Sequence, residues 1–245
     1  MGRQRTYVGA LVIVGTVAMA IGGLSACSPM SRSSFQDDAT VTEQVTAVRL
    51  DTDAGSVTVQ GKAGATQVSV HRAVEYDRDR PGGTTRVENG VLVLGGCGDD
   101  CSVGYTVEIP AGLPISGKTS AGEIRLSQVG EVSVRTSSGG ITLDGVTGPV
   151  DAHTSNGSIH GTALQGDRIR AQTSNGEIRL SPAKAQDVTA KTSNGTITLT
   201  VPPAGYHVTT STSSGGIHIG VADDPAAPYR LDLSTSNGGI TVQTS

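Results

Sequence analysis

The chain has 245 residues, with 18 Lys plus Arg against 22 Asp plus Glu for a formal net charge of −4. It contains one Phe, five Tyr, no Trp and 34 Gly. The acidic balance argues against nucleic acid as a partner; the scarcity of aromatics demands a core of Val, Ile, Leu and Thr, which suits stacked strands; and glycine without a three-residue period excludes collagen and points to many tight turns.

Residues 1–26 have the parts of an export signal: Arg3 and Arg5, an apolar run over 8–21, then small residues. The run is interrupted by Gly9, Gly15 and Thr16 and is shorter than the roughly 20 residues of a spanning helix. Leu24-Ser25-Ala26-Cys27 resembles the lipobox of bacterial lipoproteins, in which the cysteine is acylated and becomes the new N-terminus. A signal peptide over 1–26, lipidation at Cys27 and attachment to the extracytoplasmic face of the cell membrane are therefore expected, and more than one acyl chain would make that attachment stable. Cleavage would remove Arg3 and Arg5 and make the exported part more acidic. Residues 27–44 are polar and without periodicity, and read as a flexible membrane tether.

Residues 45–110 hold short alternating stretches around Val57, Val68 and Val91, with a polar excursion over 77–83. Cys97 and Cys101 flank Gly98-Asp99-Asp100, a turn sequence that permits the short Cα separation a disulfide needs. Export to an oxidising compartment favours the bridge over free thiols or metal, and zinc would want two further ligands where no His lies near in sequence. This region is expected to supply the first coils and a protruding loop closed at its base by the cysteine pair, and to cap the C-terminal repeats.

From residue 119 the chain repeats itself: TSAGEIRL at Thr119, TSSGGITL at Thr136, TSNGSIHG at Thr154, TSNGEIRL at Thr173, TSNGTITL at Thr192, TSSGGIHI at Thr212 and TSNGGITV at Thr235. A looser copy, TDAGSVTV, starts at Thr52. Each unit alternates before the Thr-Ser, turns a glycine corner and alternates again, so the period is two and the elements are strands. A strand, a corner, a strand and a second corner occupy one repeat, and no unit can bury its apolar face alone. The expected fold is all-β, a parallel β-solenoid of 17–23-residue coils over 45–245 with a less regular N-terminal cap. An antiparallel sandwich would not place the same residues at the same corner, and right-handed coiling is the default for parallel crossovers.

Stacking would bring the corner residues Asn156, Asn175, Asn194 and Asn237 into a structural ladder of amides. The residue before each corner Thr is Lys118, Arg135, His153, Gln172 and Lys191 in five successive units. Lys118, Arg135 and Lys191 are thus a candidate contact for an anionic polymer. Glu123 and Glu177 share a column but lie three units apart, so no acid pair of the kind polysaccharide-active solenoids use is assembled. The histidines read as solvated surface residues, and no metal or cofactor set is expected.

The recurring T-S-x-G-x-I corners, the Cys-flanked turn leading into Tyr105-Thr106-Val107-Glu108-Ile109-Pro110, and the lipobox together resemble the bacterial putative-adhesin family, a domain of unknown function. The resemblance spans about 45–245 and implies a surface-exposed β-solenoid with no established catalytic residues. Family members often carry Asp after the corner Gly, where this chain has Glu, Gly, Ser or Thr. The expected function is an envelope-anchored, non-catalytic structural or interaction module, not an enzyme, whose partner is a wall polymer or surface protein and not a small molecule. The alternative is a polysaccharide-binding or polysaccharide-active protein.

Overall fold

The computed structural model describes residues 32–245; Cys27 and the expected signal peptide lie outside the described residues. The chain begins with β1 (Ser33–Val41), β2 (Ala47–Ala54), β3 (Val57–Lys62) and β4 (Val68–Tyr76). It continues through β5 (Thr85–Glu88), β6 (Val91–Gly95) and β7 (Cys101–Pro110). The repeats come next as strand pairs across corners: β8 (Ile115–Ala121) with β9 (Ile124–Ser127), β10 (Val132–Ser138) with β11 (Ile141–Asp144), and β12 (Val150–Asn156) with β13 (Ile159–Leu164). After them are β14 (Arg168–Asn175) with β15 (Ile178–Pro182), and β16 (Asp187–Asn194) with β17 (Ile197–Val201). Last come β18 (Tyr206–Ser214) with β19 (Ile217–Ile219), and β20 (Tyr229–Asn237) with β21 (Ile240–Thr244).

These strands form two sheets, one of eleven strands in the order β1-β4-β7-β3-β9-β11-β13-β15-β17-β21-β19, the other of ten in the order β18-β20-β16-β14-β12-β10-β8-β2-β6-β5. Coil pairs with coil in parallel and in identical register, as in Thr119↔Thr136↔Thr154↔Thr173↔Thr192. The architecture is the expected parallel β-solenoid. Leaving aside β1, β4 and β5, each sheet contributes nine strands to nine stacked coils, a rod of about 40 Å at the usual strand spacing.

The order of the coils differs from the order of the chain at both ends. The coil of β20 and β21 lies between β16–β17 and β18–β19, so the unit at Thr235 stacks on the unit at Thr192 and the unit at Thr212 is outermost. Polarity explains the exchange. The inward column of the ten-stranded sheet reads Val134, Ala152, Ala171, Ala190 and Leu233, all fully buried, and then Thr210. The coil with a hydroxyl in that column is placed at the solvent end, and the coil with Leu231 and Leu233 is enclosed, where each buried Leu is worth about 2 kcal/mol. At the other end β2 and β3 sit inside the coil of β6 and β7.

Residues 33–41, expected as tether, are instead β1, paired antiparallel with β4 along its whole length. The inward positions Phe35, Asp37, Ala39 and Val41 alternate with exposed neighbours, but the acid among them hides the pattern. Arg72 resolves it: its guanidinium, almost wholly buried, binds both Asp37 oxygens at 2.8 and 2.5 Å and donates to the Gly82 carbonyl at 2.7 Å. That contact holds the Asp37 carboxyl below its usual range. Arg80 stacks on Phe35 at 4.0 Å. Beneath this cap Tyr105 donates to the Gly95 carbonyl and also bonds Thr84, and burial pushes its phenol up to about 12.

The corners explain the repeat. In six coils the corner Thr hydroxyl donates to the corner-glycine carbonyl of the adjoining coil, among them Thr154 to Gly139 at 2.9 Å, Thr173 to Gly157 at 2.9 Å, Thr235 to Gly195 at 3.0 Å and the half-buried Thr212 to Gly238 at 3.0 Å. The glycines pass so close that a Cβ on Gly176 would sit 2.1 Å from the Gly157 carbonyl oxygen. Two corners differ: the Thr119 hydroxyl bonds the Ala121 carbonyl of its own coil at 3.5 Å, and the buried Thr52 hydroxyl has no partner among the described residues, because the adjoining coil of β6 and β7 turns through the cysteine pair instead of a Thr-Ser-x-Gly corner. In the unit at Thr154 a glycine, Gly161, replaces the usual Leu. A bulge at Ala163, with φ 51°, swings the fully buried Leu164 in to fill the gap.

Candidate functional site

The outer face of the ten-stranded sheet gathers the chain's candidate binding residues, because period-two strands that bury Val, Ala and Thr must turn the intervening residues outward. The register aligns Lys118, Arg135, His153, Gln172 and Lys191 in one column. Asp51 continues the column beyond Lys118. Lys191 is neutralised by Asp232, with Nζ 3.0 Å from Oδ2, and lies about 14 Å from Arg135 by strand spacing. The structure therefore brings Lys118 and Arg135 together on adjacent strands and separates Lys191 from them.

The two side chains border a surface groove of about 410 Å³, lined also by Arg49, Leu50, Asp51, Ser116, Gly117 and Ser133. Gly117 lies between Leu50 and Val134 in the inward column and lines the groove with its backbone. Its φ of +119° and a would-be Cβ 2.0 Å from the Leu50 carbonyl oxygen exclude any side chain where β8 crosses between β2 and β10. Arg49 is already paired with Glu88 at 3.0 Å, whereas neither Lys118 nor Arg135 has an ion-pair partner within 4.0 Å among the described residues. A second, polar depression near the cysteine turn is lined by Asp51, Asp53, Thr84, Arg86 and Gly96.

Arg49, Ser116, Gly117 and Ser133 were not singled out from sequence. A signal existed: Ile115-Ser116-Gly117-Lys118-Thr119 departs from the Val or Ala that precedes the cation in other units, as in Val132-Ser133-Val134-Arg135-Thr136.

The corner amides lie side by side. Asn175 donates to Asn156 Oδ1, Asn194 to Asn175 Oδ1 and Asn237 to Asn194 Oδ1, each at 3.0 Å, and Asn156 reaches the Ser137 carbonyl at 3.4 Å. The exchanged coil order is what makes the fourth rung adjacent to the third. Cys97 and Cys101 are joined, with Cα atoms 5.9 Å apart, at the corner between β6 and β7 that adjoins the base of the 77–83 excursion. Glu123 and Glu177 stand three coils apart, and each is held by the arginine two residues on, Arg125 at 2.6 Å and Arg179 at 2.5 Å. His160 and His218 are four coils apart in the exchanged order, one more than sequence order implies.

The family model described as Toastrack DUF4097 matches residues 98–243. The chain belongs to this family. The match runs from the cysteine turn through the unit at Thr235. Among solved structures, a putative adhesin from Bacteroides fragilis NCTC 9343 is similar at 14% identity and TM-score 0.44, over 88% of this chain and 99% of that one. A putative adhesin from Parabacteroides merdae ATCC 43184 is similar at 10% identity and TM-score 0.43, over 86% and 96%. A putative cell adhesion protein from Clostridium sporogenes ATCC 15579 is similar at 11% identity and TM-score 0.38, over 86% and 100%. Likeness at this level carries no argument about residues or partners. A search of curated proteins finds no match to the chain.

Proposed function

We propose that this Toastrack protein is an exported, lipid-anchored and non-catalytic interaction module, held through Cys27, that presents the Lys118 and Arg135 patch to anionic wall polymer or lipid headgroups. The observation that carries the reading is the pairing of two unpartnered cations on adjacent strands at the rim of the Gly117 groove. Strands of a packed solenoid hold such a pair at fixed spacing, which suits repetitive anionic ligands better than a mobile loop would. Each cation near an anionic surface is worth about 1 kcal/mol. Removing both should weaken binding by about tenfold or more at low salt, and the effect should fade as ionic strength rises.

Binding of the parent and the Lys118→Ser/Arg135→Ser variant to sacculi bearing their anionic polymer, and to phosphatidylglycerol vesicles, tests the patch and separates the two ligand sources. Lys191→Ser, whose charge Asp232 already neutralises, should bind as the parent does. Equal binding by the double variant would leave the two cations with a solubility role only. Membrane fractionation of Cys27→Ala tests the anchor: release into the soluble fraction is expected, and retention would sink it.

A further inference from the structure

The two ends of the rod are finished differently. At the N-terminal end the outer strands β1 and β5 carry Asp37, Asp38, Arg86 and Glu88, the charges by which proteins blunt sheet edges. At the other end β18 and β19 are the last strands of their sheets and contain no Lys, Arg, Asp or Glu. Ile217 and Ile219 are 41% and 37% exposed there, the two large apolar side chains exposed among the described residues, while the equivalent Ile124, Ile141, Ile159, Ile178, Ile197 and Ile240 are at most 1% exposed. The loop after β19 covers only the start of the edge: the Val208 amide donates to Asp223 Oδ1 and the Asp224 amide to the Tyr206 carbonyl, both at 2.9 Å. The remainder, 209–214 and 217–219, has no strand partner on its outer side among the described residues.

We infer that this open end is a self-association surface, where two copies of the chain meet through β18 and β19 across a two-fold axis perpendicular to the rod. Within one chain, coil meets coil as like on like, Thr on Thr, Gly on Gly and Ile on Ile in one register. The open end displays Thr212 and Ile217 over the unpaired edges of two strands, and the surface that matches it in layer spacing and polarity is the open end of a second copy, met edge to edge and antiparallel instead of residue on like residue. The opposite end finishes on the charged edge strands β1 and β5, which do not match the uncharged end, so the contact closes as an isologous pair and not as a head-to-tail filament. Either two-fold perpendicular to the stack runs the facing strands antiparallel and continues both sheets. The lack of charge on β18 and β19 leaves nothing to repel the second copy. The 221–227 loop occupies the level beyond the Tyr206 end of β18 and so limits pairing to the Thr210–Thr212 side. A coil cross-section buries on the order of 500 Å² per partner, about 1,000 Å² in all, the lower bound of specific interfaces. The dimer is therefore a dissociating one. It does not depend on the cationic patch.

Sedimentation velocity of the full chain in neutral detergent, from low to several hundred micromolar, should show a concentration-dependent dimer. Ile219→Lys and Thr210→Lys, which place a charge on the open end, should each raise the dissociation midpoint at least about tenfold, while Thr142→Lys on the outer face and Lys118→Ser/Arg135→Ser should not. A measurement that needs no charged substitution uses Ser213→Cys and a short bis-maleimide, for which a band at twice the chain mass is expected. A chain that stays monomeric at every concentration, charged variants that fold and dimerise like the parent, open-ended polymers, or loss of the cross-linked band would each overturn the proposal. Protection of Ile219 in a monomer would overturn it too, by assigning the end to another segment of the same chain.

Discussion

Replacing Gly176 by alanine tests the corner mechanism most directly. The added Cβ would lie 2.1 Å from the Gly157 carbonyl oxygen, 2.5 Å from its carbon and 3.1 Å from the Ser158 amide, roughly 1 Å inside the closest approach such atoms tolerate. The neighbouring coil cannot retreat freely, since Gly157 N–H bonds the Asn175 carbonyl at 2.9 Å, Gly176 N–H bonds the Asn194 carbonyl at 2.9 Å, and the Thr173 hydroxyl holds the Gly157 carbonyl at 2.9 Å. A φ of +154° adds backbone strain for any L side chain, about 1–3 kcal/mol. Overpacking contributes about 1–3 kcal/mol more, for a total near 2–6 kcal/mol, or a drop in melting temperature of roughly 5–20 °C. Gly140→Ala is the control: its Cβ would meet a single atom, the Ser158 carbonyl oxygen, at 3.4 Å, and it should change little. Calorimetry and far-ultraviolet circular dichroism on both variants decide the matter. If Gly176→Ala melts within about 2 °C of Gly140→Ala, close glycine passage is not what the corner requires.

Asn175→Ala removes the middle of the amide ladder, leaving Asn194 Nδ2 without its acceptor and Asn156 Oδ1 without its donor. Because both partners are exposed, the loss should be only about 1–2 kcal/mol by urea titration, and a larger effect would mean the ladder also sets coil register. The carboxyl of Asp37 is depressed by Arg72 in the folded protein, so its contribution is present above the unfolded carboxylate range and is lost as pH falls through the lower folded value. Asp37→Asn should therefore lower the urea midpoint at neutral pH and flatten its fall on acidification, with parallel pH profiles counting against the contact. Reducing Cys97–Cys101 should add two hydrogens to the intact mass and cost about 2 kcal/mol for so short a loop; no mass change in protein isolated without reductant would remove the bridge. Truncating Leu164 to Ala reopens the space beside Gly161 and should cost about 2–5 kcal/mol, which chemical denaturation reads directly.

Much of this molecule was legible without coordinates, because its information is local. Period-two alternation declares strands, Thr-Ser-x-Gly declares a corner, and the same letters recurring declare that neighbours supply each other's core. The cysteine turn and the membership of the Asn ladder are local in the same sense, residues whose neighbours in space are copies of themselves. The tertiary structure decided what identical repeats leave open. Any coil fits on any other, so nothing in TSSGGIHI or TSNGGITV says which stacks on the unit at Thr192. That choice came from long-range differences of polarity, Leu233 against Thr210 and Asp232 against Lys191, and it took Lys191 out of the cationic patch. Asp37 looked like tether because its compensating charge, Arg72, lies 35 residues away. The groove at Gly117 and the uncharged end at β18 and β19 likewise exist only once strands distant in sequence are set side by side, because a groove or an edge is a property of neighbours and not of the segment that carries it.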